Sequence, residues 1–266
     1  MIGSELKNHP DYLLDRAQDR LAIKTTLGSA GLRLAGAYVG LFGIPEIGTQ
    51  IRICNVLRQL PKDVGDFIDI GTGAGMLLAQ VRQHRRWRRL VGIDSDGPSI
   101  EVARHTHPYA LFQRADVSEC EIAFRGQFDV AACIDVLEYV PQAELAAFVE
   151  HCAAMLKPNA LFIVHVPRAV QFRHFRKFAA WQDHNALRTG FSEQELRNLL
   201  EPAGFVDAQI FPSISSLTEL AWEINMLMAA TPLQALLFPL LMCIAFVSEH
   251  LPFKRSNALI AVARRP

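Results

Sequence analysis

The chain is short of several things, and each shortage excludes a class of protein. It has no surplus of either charge, with lysine plus arginine and aspartate plus glutamate at 27 each in 266 residues. Nucleic-acid affinity rests on many cationic phosphate contacts, so this balance argues against an extended nucleic-acid surface, and no nucleic-acid partner is expected. Cysteine is sparse and scattered, at Cys54, Cys120, Cys133, Cys152 and Cys243, with no CxxC pair and no histidine at zinc-ligand spacing. That pattern points to buried, reduced thiols rather than a disulfide framework, and no metal site is expected. The opening MIGSELKNHPDYLLDR carries charges throughout and has no apolar core. It does not read as a signal peptide, and the expected location is cytoplasmic. Half of the residues are hydrophobic and a fifth charged, enough to bury a sizeable core in one large domain with an elaboration, or in two small domains.

What the chain does have is concentrated between Asp66 and Asp94. Phe67-Ile68-Asp69-Ile70 suits a buried strand, and three glycines follow at alternate positions, Gly71, Gly73 and Gly75. Met76 to Val81 then takes helical spacing, and Leu90-Val91-Gly92-Ile93 is a second apolar run closing on Asp94. In an open parallel sheet, ligands sit beyond the carboxyl ends of the strands, and this unit builds such an edge. Glycine lets backbone approach a ligand and adopt positive φ, and an acid about 20 residues further on can accept hydrogen bonds from ribose hydroxyls. The pattern is GxGxG and not GxGxxG, and Asp69 precedes the first glycine. That carboxylate would repel a pyrophosphate but not a positively charged cofactor. A nicotinamide-dependent oxidoreductase would also want a catalytic tyrosine–lysine pair, which is missing around Gly71.

Asp69-Ile-Gly71-Thr-Gly73-Ala-Gly75 with Asp94 resembles the nucleotide-binding motif of class I S-adenosylmethionine-dependent methyltransferases. The resemblance continues through Ala115-Asp116-Val117, Phe128-Asp129-Val130, Asp135-Val136-Leu137-Glu138-Tyr139-Val140 and Leu156-Lys157-Pro158 to Leu161-Phe162-Ile163-Val164. It covers about half of the chain, from Gly65 to Phe205. The resemblance implies an α/β fold, a Rossmann-like doubly wound sheet of seven strands with the last strand antiparallel. It implies S-adenosyl-L-methionine as cofactor, with Asp69, Gly71, Thr72, Gly73, Gly75, Asp94, Ser95, Asp116, Val117 and Asp135 as the cofactor-binding set. Asp116 is expected near the adenine amino group, with a cap for the Ser118 segment as the plainer alternative. Many relatives carry a histidine where this chain has Tyr139, so any role resting on that imidazole does not carry over.

The organisation follows from this frame. Residues 1–62 are expected to form an N-terminal helical cap, including a helical pattern over Glu46 to Leu60 that Pro61 stops. The methyltransferase core is placed at 63–212 and the last core strand at 256–266. The basic run from Arg82 to Arg89 reads as a solvated face near a helix carboxyl end. Between the last two strands, 213–255 is an apolar helical insertion: one helix over Ser216 to Met228, then a second with Thr231 at the N-cap, Pro232 at N1 and Pro239 inside. Its apolar stretch approaches spanning length, but the following strand must return to the same sheet, so a single crossing is excluded. The helices either fold onto the domain or lie shallowly in a membrane interface, making peripheral contact at its inner face with Lys254 and Arg255 near headgroups.

S-adenosylmethionine brings its own activated methyl, so the protein supplies placement. A hydroxyl acceptor also needs its proton removed, usually by a histidine or carboxylate within reach. His165, His184 and Glu138 are the catalytic candidates, because strand tips or adjoining loops should carry them. Tyr139 and Arg188 are the substrate-binding candidates, the arginine for an anionic acceptor. The expected function is metal-independent methyl transfer to a small-molecule, lipid-linked or glycan acceptor at oxygen. Carbon or nitrogen acceptors, or a non-catalytic cofactor-binding module, are the alternatives.

Overall fold

A computed structural model describes residues 46–62, 65–178, 186–229, 231–252 and 255–266. The helical segments expected before Glu46, together with His184 and Lys254, lie outside them. The described chain divides into two compact units. The larger takes residues 55–171, 186–213 and 257–266; the smaller takes 46–54, 172–178 and 214–256 where described.

The larger unit is built on a seven-stranded sheet. Its strands are β1 (Asp66–Ile70), β2 (Arg89–Asp94), β3 (Leu111–Arg114), β4 (Phe128–Ile134), β5 (Leu156–Pro167), β6 (Val206–Ser215) and β7 (Ser256–Arg264). Their order is β3-β2-β1-β4-β5-β7-β6. The pairs from β3 through β5 are parallel, and β7 runs antiparallel to β5, as the resemblance implied. All five residues of β1 are buried, which a central strand of a parallel sheet requires because both of its faces are covered. The sheet and its flanking helices share one core, with Ile68, Val91, Phe128, Phe162 and Leu259 among its fully buried side chains.

Helix starts in this unit are local and explicable. After the glycine turn comes helix α2 (Met76–His84), following α1 (Ile47–Leu57). Asp96 accepts the Ser99 N–H and starts α3 (Gly97–Thr106), with Pro98 in its first turn. Asp116 and Glu119 form a reciprocal capping box at α4 (Val117–Phe124), and α5 (Leu145–Met155) runs directly into β5. Ser192 and Glu195 make a second capping box for α6 (Glu193–Leu200). β5 begins at Leu156, earlier than the apolar run Ala160 to Val164 suggests. The register with β4 jumps from Phe128 opposite Leu156 to Val130 opposite Leu161, so residues 157–160, with Asn159 at φ 65, bulge out of that ladder.

The smaller unit contains α7 (Ser216–Leu227) and α8 (Pro232–Ser248). Ile47, Ile51, Ala221, Phe238, Leu241 and Ala245 form its core. Two buried carboxylates, Glu219 and Glu223, and the half-buried Glu249 tie it together. Glu223 accepts the backbone N–H groups of His174 and Phe175, and Arg173 Nη1 donates to Glu219 at 2.7 Å. Glu249 takes the N–H of Ser215 and the Thr218 hydroxyl. Thr231 holds the N-cap position of α8, but its hydroxyl donates back to the Met228 carbonyl and not into the helix. The outward face of α8 is more apolar than its start within: Leu236 is 74% exposed and Leu240 58%, whereas Gln234 is fully buried. Among the described residues no helix is long and apolar enough to cross a membrane.

Candidate active site

The site is assembled at the carboxyl ends of β1, β2 and β4. Beyond β1 the chain turns back, and Gly71 N–H and Thr72 N–H both donate to the Ile93 carbonyl of β2. Gly71 sits at φ 75, and a side chain there would put its β-carbon 2.2 Å from Val136 Cγ2. That close approach brings the segment after β4 against the glycine turn, and only glycine satisfies both demands. Gly75, at φ 83, is packed against His107 and Phe112, so its role is structural closeness and not ligand access. Gly73 differs: at φ 51 it too is left-handed, but a β-carbon there meets nothing within 4 Å. The turn is open at that point.

Two carboxylates face this turn from different depths. Asp94 accepts the Gly73 N–H on Oδ2 at 2.8 Å and the Asp96 N–H on Oδ1 at 2.9 Å. Two backbone donors fix its plane, and a carboxylate has further lone pairs for hydroxyl donors. Asp69 is buried, with Thr72 Oγ1 donating to its Oδ2 at 2.8 Å. Burial pushes its carboxyl up to about 7; the Thr72 hydroxyl pulls down, and the Asp94 charge adds to the rise. An open, left-handed Gly73, a pinned carboxylate at the neighbouring strand tip and a buried acid beneath fit a cationic nucleoside.

The other sequence candidates separate into groups. Ala115 N–H donates to the Asp94 carbonyl, which brings Asp116 and Val117 to the same edge as Ser95. Asp116 takes the Ser118 N–H and hydroxyl, at 2.9 and 2.8 Å, and these donors hold its carboxyl below the ordinary value. The cap is therefore what its carboxylate does here. Leu187 N–H bonds the Glu138 carbonyl, so Tyr139, which is exposed, and Arg188 belong to adjoining segments. Arg188 donates to Gln142 and lies 4.7 Å over the Phe191 ring.

Of the catalytic candidates described, both are buried: Glu138 is 3% exposed and His165 2%. His165 Nδ1 lies 2.6 Å from Asp135 Oδ1 and its Nε2 3.1 Å from Ser213 Oγ. Ser213 in turn receives the Asn55 amide at 2.9 Å. Neither Ser213 nor Asn55 carries any signal in the sequence. Cys120, Cys133 and Cys152 are buried thiols, each pushed upward by burial, as expected of inert core cysteines. No cluster that could hold a metal occurs among the described residues.

Residues 50–210, more than half of the chain, match the family model described as a methyltransferase domain. The chain belongs to the methyltransferase-domain family. The class I S-adenosylmethionine-dependent resemblance is thereby shown, and the cofactor with it. Among curated proteins, this methyltransferase is 35% identical to a ubiquinone biosynthesis O-methyltransferase of Bradyrhizobium diazoefficiens, over 36% of this chain and 38% of that one. A protein of the same name from Rhodopseudomonas palustris is 33% identical, over 47% of this chain and 49% of its own. The match therefore spans less than half the length of these relatives. Among solved structures, a SAM-dependent methyltransferase from Archaeoglobus fulgidus aligns with TM-score 0.57 at 16% identity, covering 86% of this chain and 99% of that one. Haemonchus contortus phosphoethanolamine N-methyltransferase 2, in complex with S-adenosyl-L-methionine, aligns with TM-score 0.57 at 16% identity, covering 94% of this chain and 60% of the other. At such identity these likenesses speak for the fold.

Proposed function

We propose that this methyltransferase transfers a methyl group to a hydroxyl oxygen of a small, apolar, lipid-linked acceptor. The observation that carries the donor side is the open glycine turn, whose Gly73 N–H is bound to Asp94. Bound S-adenosylmethionine supplies an electrophilic methyl on a sulfonium centre. The chain's part is placement: Asp94 takes the ribose hydroxyls, Ser95, Asp116 and Val117 border the base, and Asp69 offers negative charge beneath. In-line attack at near-attack distance then needs an oriented acceptor, which Tyr139 and Arg188 help to shape.

The oxygen acceptor rests on the relatives named as ubiquinone biosynthesis O-methyltransferases. An apolar acceptor is supported by α8, whose Leu233, Leu236, Leu240, Ile244 and Val247 form an exposed stripe at helical spacing. An amphipathic face of this kind suits a shallow, peripheral position on a membrane where such acceptors reside. The test is transfer of labelled methyl from S-adenosylmethionine to a prenylated catechol in vesicles, beside an amine and an oligosaccharide as competing acceptors. Label appearing on the amine or the glycan alone would defeat the oxygen and lipid parts respectively.

A further inference from the structure

A chain of polar groups, buried at Asn55, Ser213 and His165, ends on the strand-tip acid Asp135. It runs from Arg58 through Asn55, Ser213 and His165 to Asp135, entirely within the larger unit. Its directions follow from donor chemistry. A guanidinium only donates, so Arg58 Nη1, 3.0 Å from Asn55 Oδ1, turns the Asn55 amide nitrogen toward Ser213. An ionised carboxylate only accepts, so the proton between His165 and Asp135 sits on Nδ1. Ser213 Oγ already accepts from Asn55, and the chain closes when its hydroxyl donates to His165 Nε2. Every hydrogen bond then points the same way, ending on Asp135.

The order acid, imidazole, hydroxyl is also that of a hydrolytic triad, but the burial excludes that use. Ser213 is 1% exposed, so no carbonyl can reach its oxygen. His165 cannot meet an acceptor either, since it is buried and both ring nitrogens are engaged. Asp135 is different: its side chain keeps 21% of its surface accessible. It stands at the tip of β4 at φ 53, its backbone N–H bonded to the His165 carbonyl and the next residue against Gly71.

We propose that Asp135 is the catalytic base for methyl transfer to oxygen, and that His165, Ser213 and Asn55 are positioning residues that act through it. This rests on the oxygen-acceptor reading above. The acceptor oxygen bonds the methyl carbon while the carbon–sulfur bond leaves its electron pair on sulfur, and the hydroxyl proton passes to the Asp135 carboxylate. One positive and one negative charge vanish together, and the proton leaves to solvent afterwards. The aligned donors aim the Asp135 carboxylate before the step.

Asp135 is in the left-handed region that asparagine and glycine also tolerate, so Asp135→Asn and Asp135→Gly should both fold. With the prenylated catechol in vesicles as probe, Asp135→Asn should lower kcat by about 100-fold or more, with S-adenosylhomocysteine affinity by calorimetry within about threefold of wild type. Formate should restore part of the lost rate in Asp135→Gly. Ser213→Ala should lower kcat with KM for the probe unchanged. Nitrogen NMR of His165 in the free protein should show the Nδ1–H tautomer. Wild-type-like kcat in Asp135→Asn, or cofactor affinity falling in step with kcat, overturns the base role. An Nε2–H imidazole overturns the relay whatever the activity. Wild-type transfer to an amine probe but not to the hydroxyl probe defeats the oxygen reading instead, and the base role with it.

Discussion

Replacing Asp69 by asparagine separates two effects that this buried carboxyl combines. In the folded chain burial raises it to about 7 from an ordinary 3.8. Between roughly pH 4 and pH 7 the folded state therefore keeps a proton that the unfolded state has released. Stability contributed by that proton is lost as pH rises through the window, and burying the charge costs most above the folded value. At 1.36 kcal/mol per unit, going from pH 5 to pH 8 costs the wild type about 2.6 kcal/mol through this group alone. The amide variant has no proton to lose, and its oxygen can still accept the Thr72 hydroxyl. Urea unfolding followed by tryptophan fluorescence at pH 5 and pH 8 should show the stability difference moving toward the variant by about 2–3 kcal/mol. Cofactor binding should move the other way, weakening roughly tenfold as the negative charge beneath the turn disappears. Identical pH dependence in the two proteins, with equal cofactor affinity, would refute the account of Asp69.

The three glycines should fail differently. Gly71→Ala forces a methyl into Val136 at positive φ and should destabilise the fold by about 2–4 kcal/mol, measured by denaturant unfolding. Gly73→Ala has room in the unliganded chain, so stability should drop by only about 1 kcal/mol while calorimetric affinity for S-adenosylhomocysteine falls sharply. Asp66 is held below the usual carboxylate range chiefly by the hydrogen bonds of Arg88. Its stabilisation is present above the unfolded value and lost as pH falls through the folded one, so Asp66→Asn should flatten acid unfolding below about pH 4. Leu236→Glu with Leu240→Glu should leave stability within about 0.5 kcal/mol yet abolish co-sedimentation with anionic vesicles, if α8 is the membrane-facing element.

Much of this architecture was legible because its signals are local. The GxGxG turn, Asp94 at the next strand tip and the Ser192–Glu195 capping box lie within short stretches whose geometry the residue types dictate. The run from Arg82 to Arg89 is the solvated face near the carboxyl end of α2 that its composition suggests, with Arg82, His84, Arg86 and Arg88 exposed, but the contacts it makes were not legible. Arg88 makes a bidentate bond to Asp66, which also has Lys157 within 3.5 Å, and Arg82 lies 3.9 Å over the Tyr109 ring. Those partners come from distant parts of the sequence, and charge runs do not announce them. The chain from Asn55 to Asp135 was illegible too. Its links join residues separated by 158, 48 and 30 positions, and serine and asparagine are everywhere. His165 stood out as a strand-tip histidine, but only burial and its two partners distinguish a ring that positions from one that reacts.

The position of β7 has a consequence for how the molecule is made. This strand leaves the ribosome after the other six, yet it is laid between β5 and β6. Until it arrives, β5 presents an unsatisfied hydrogen-bonding margin and β6 has no neighbour. Nascent chains therefore pass through an interval in which that margin can recruit a strand from another molecule. Stalled synthesis or a clipped tail would prolong the interval, and yield in expression hosts should respond to chaperones that shield sheet margins.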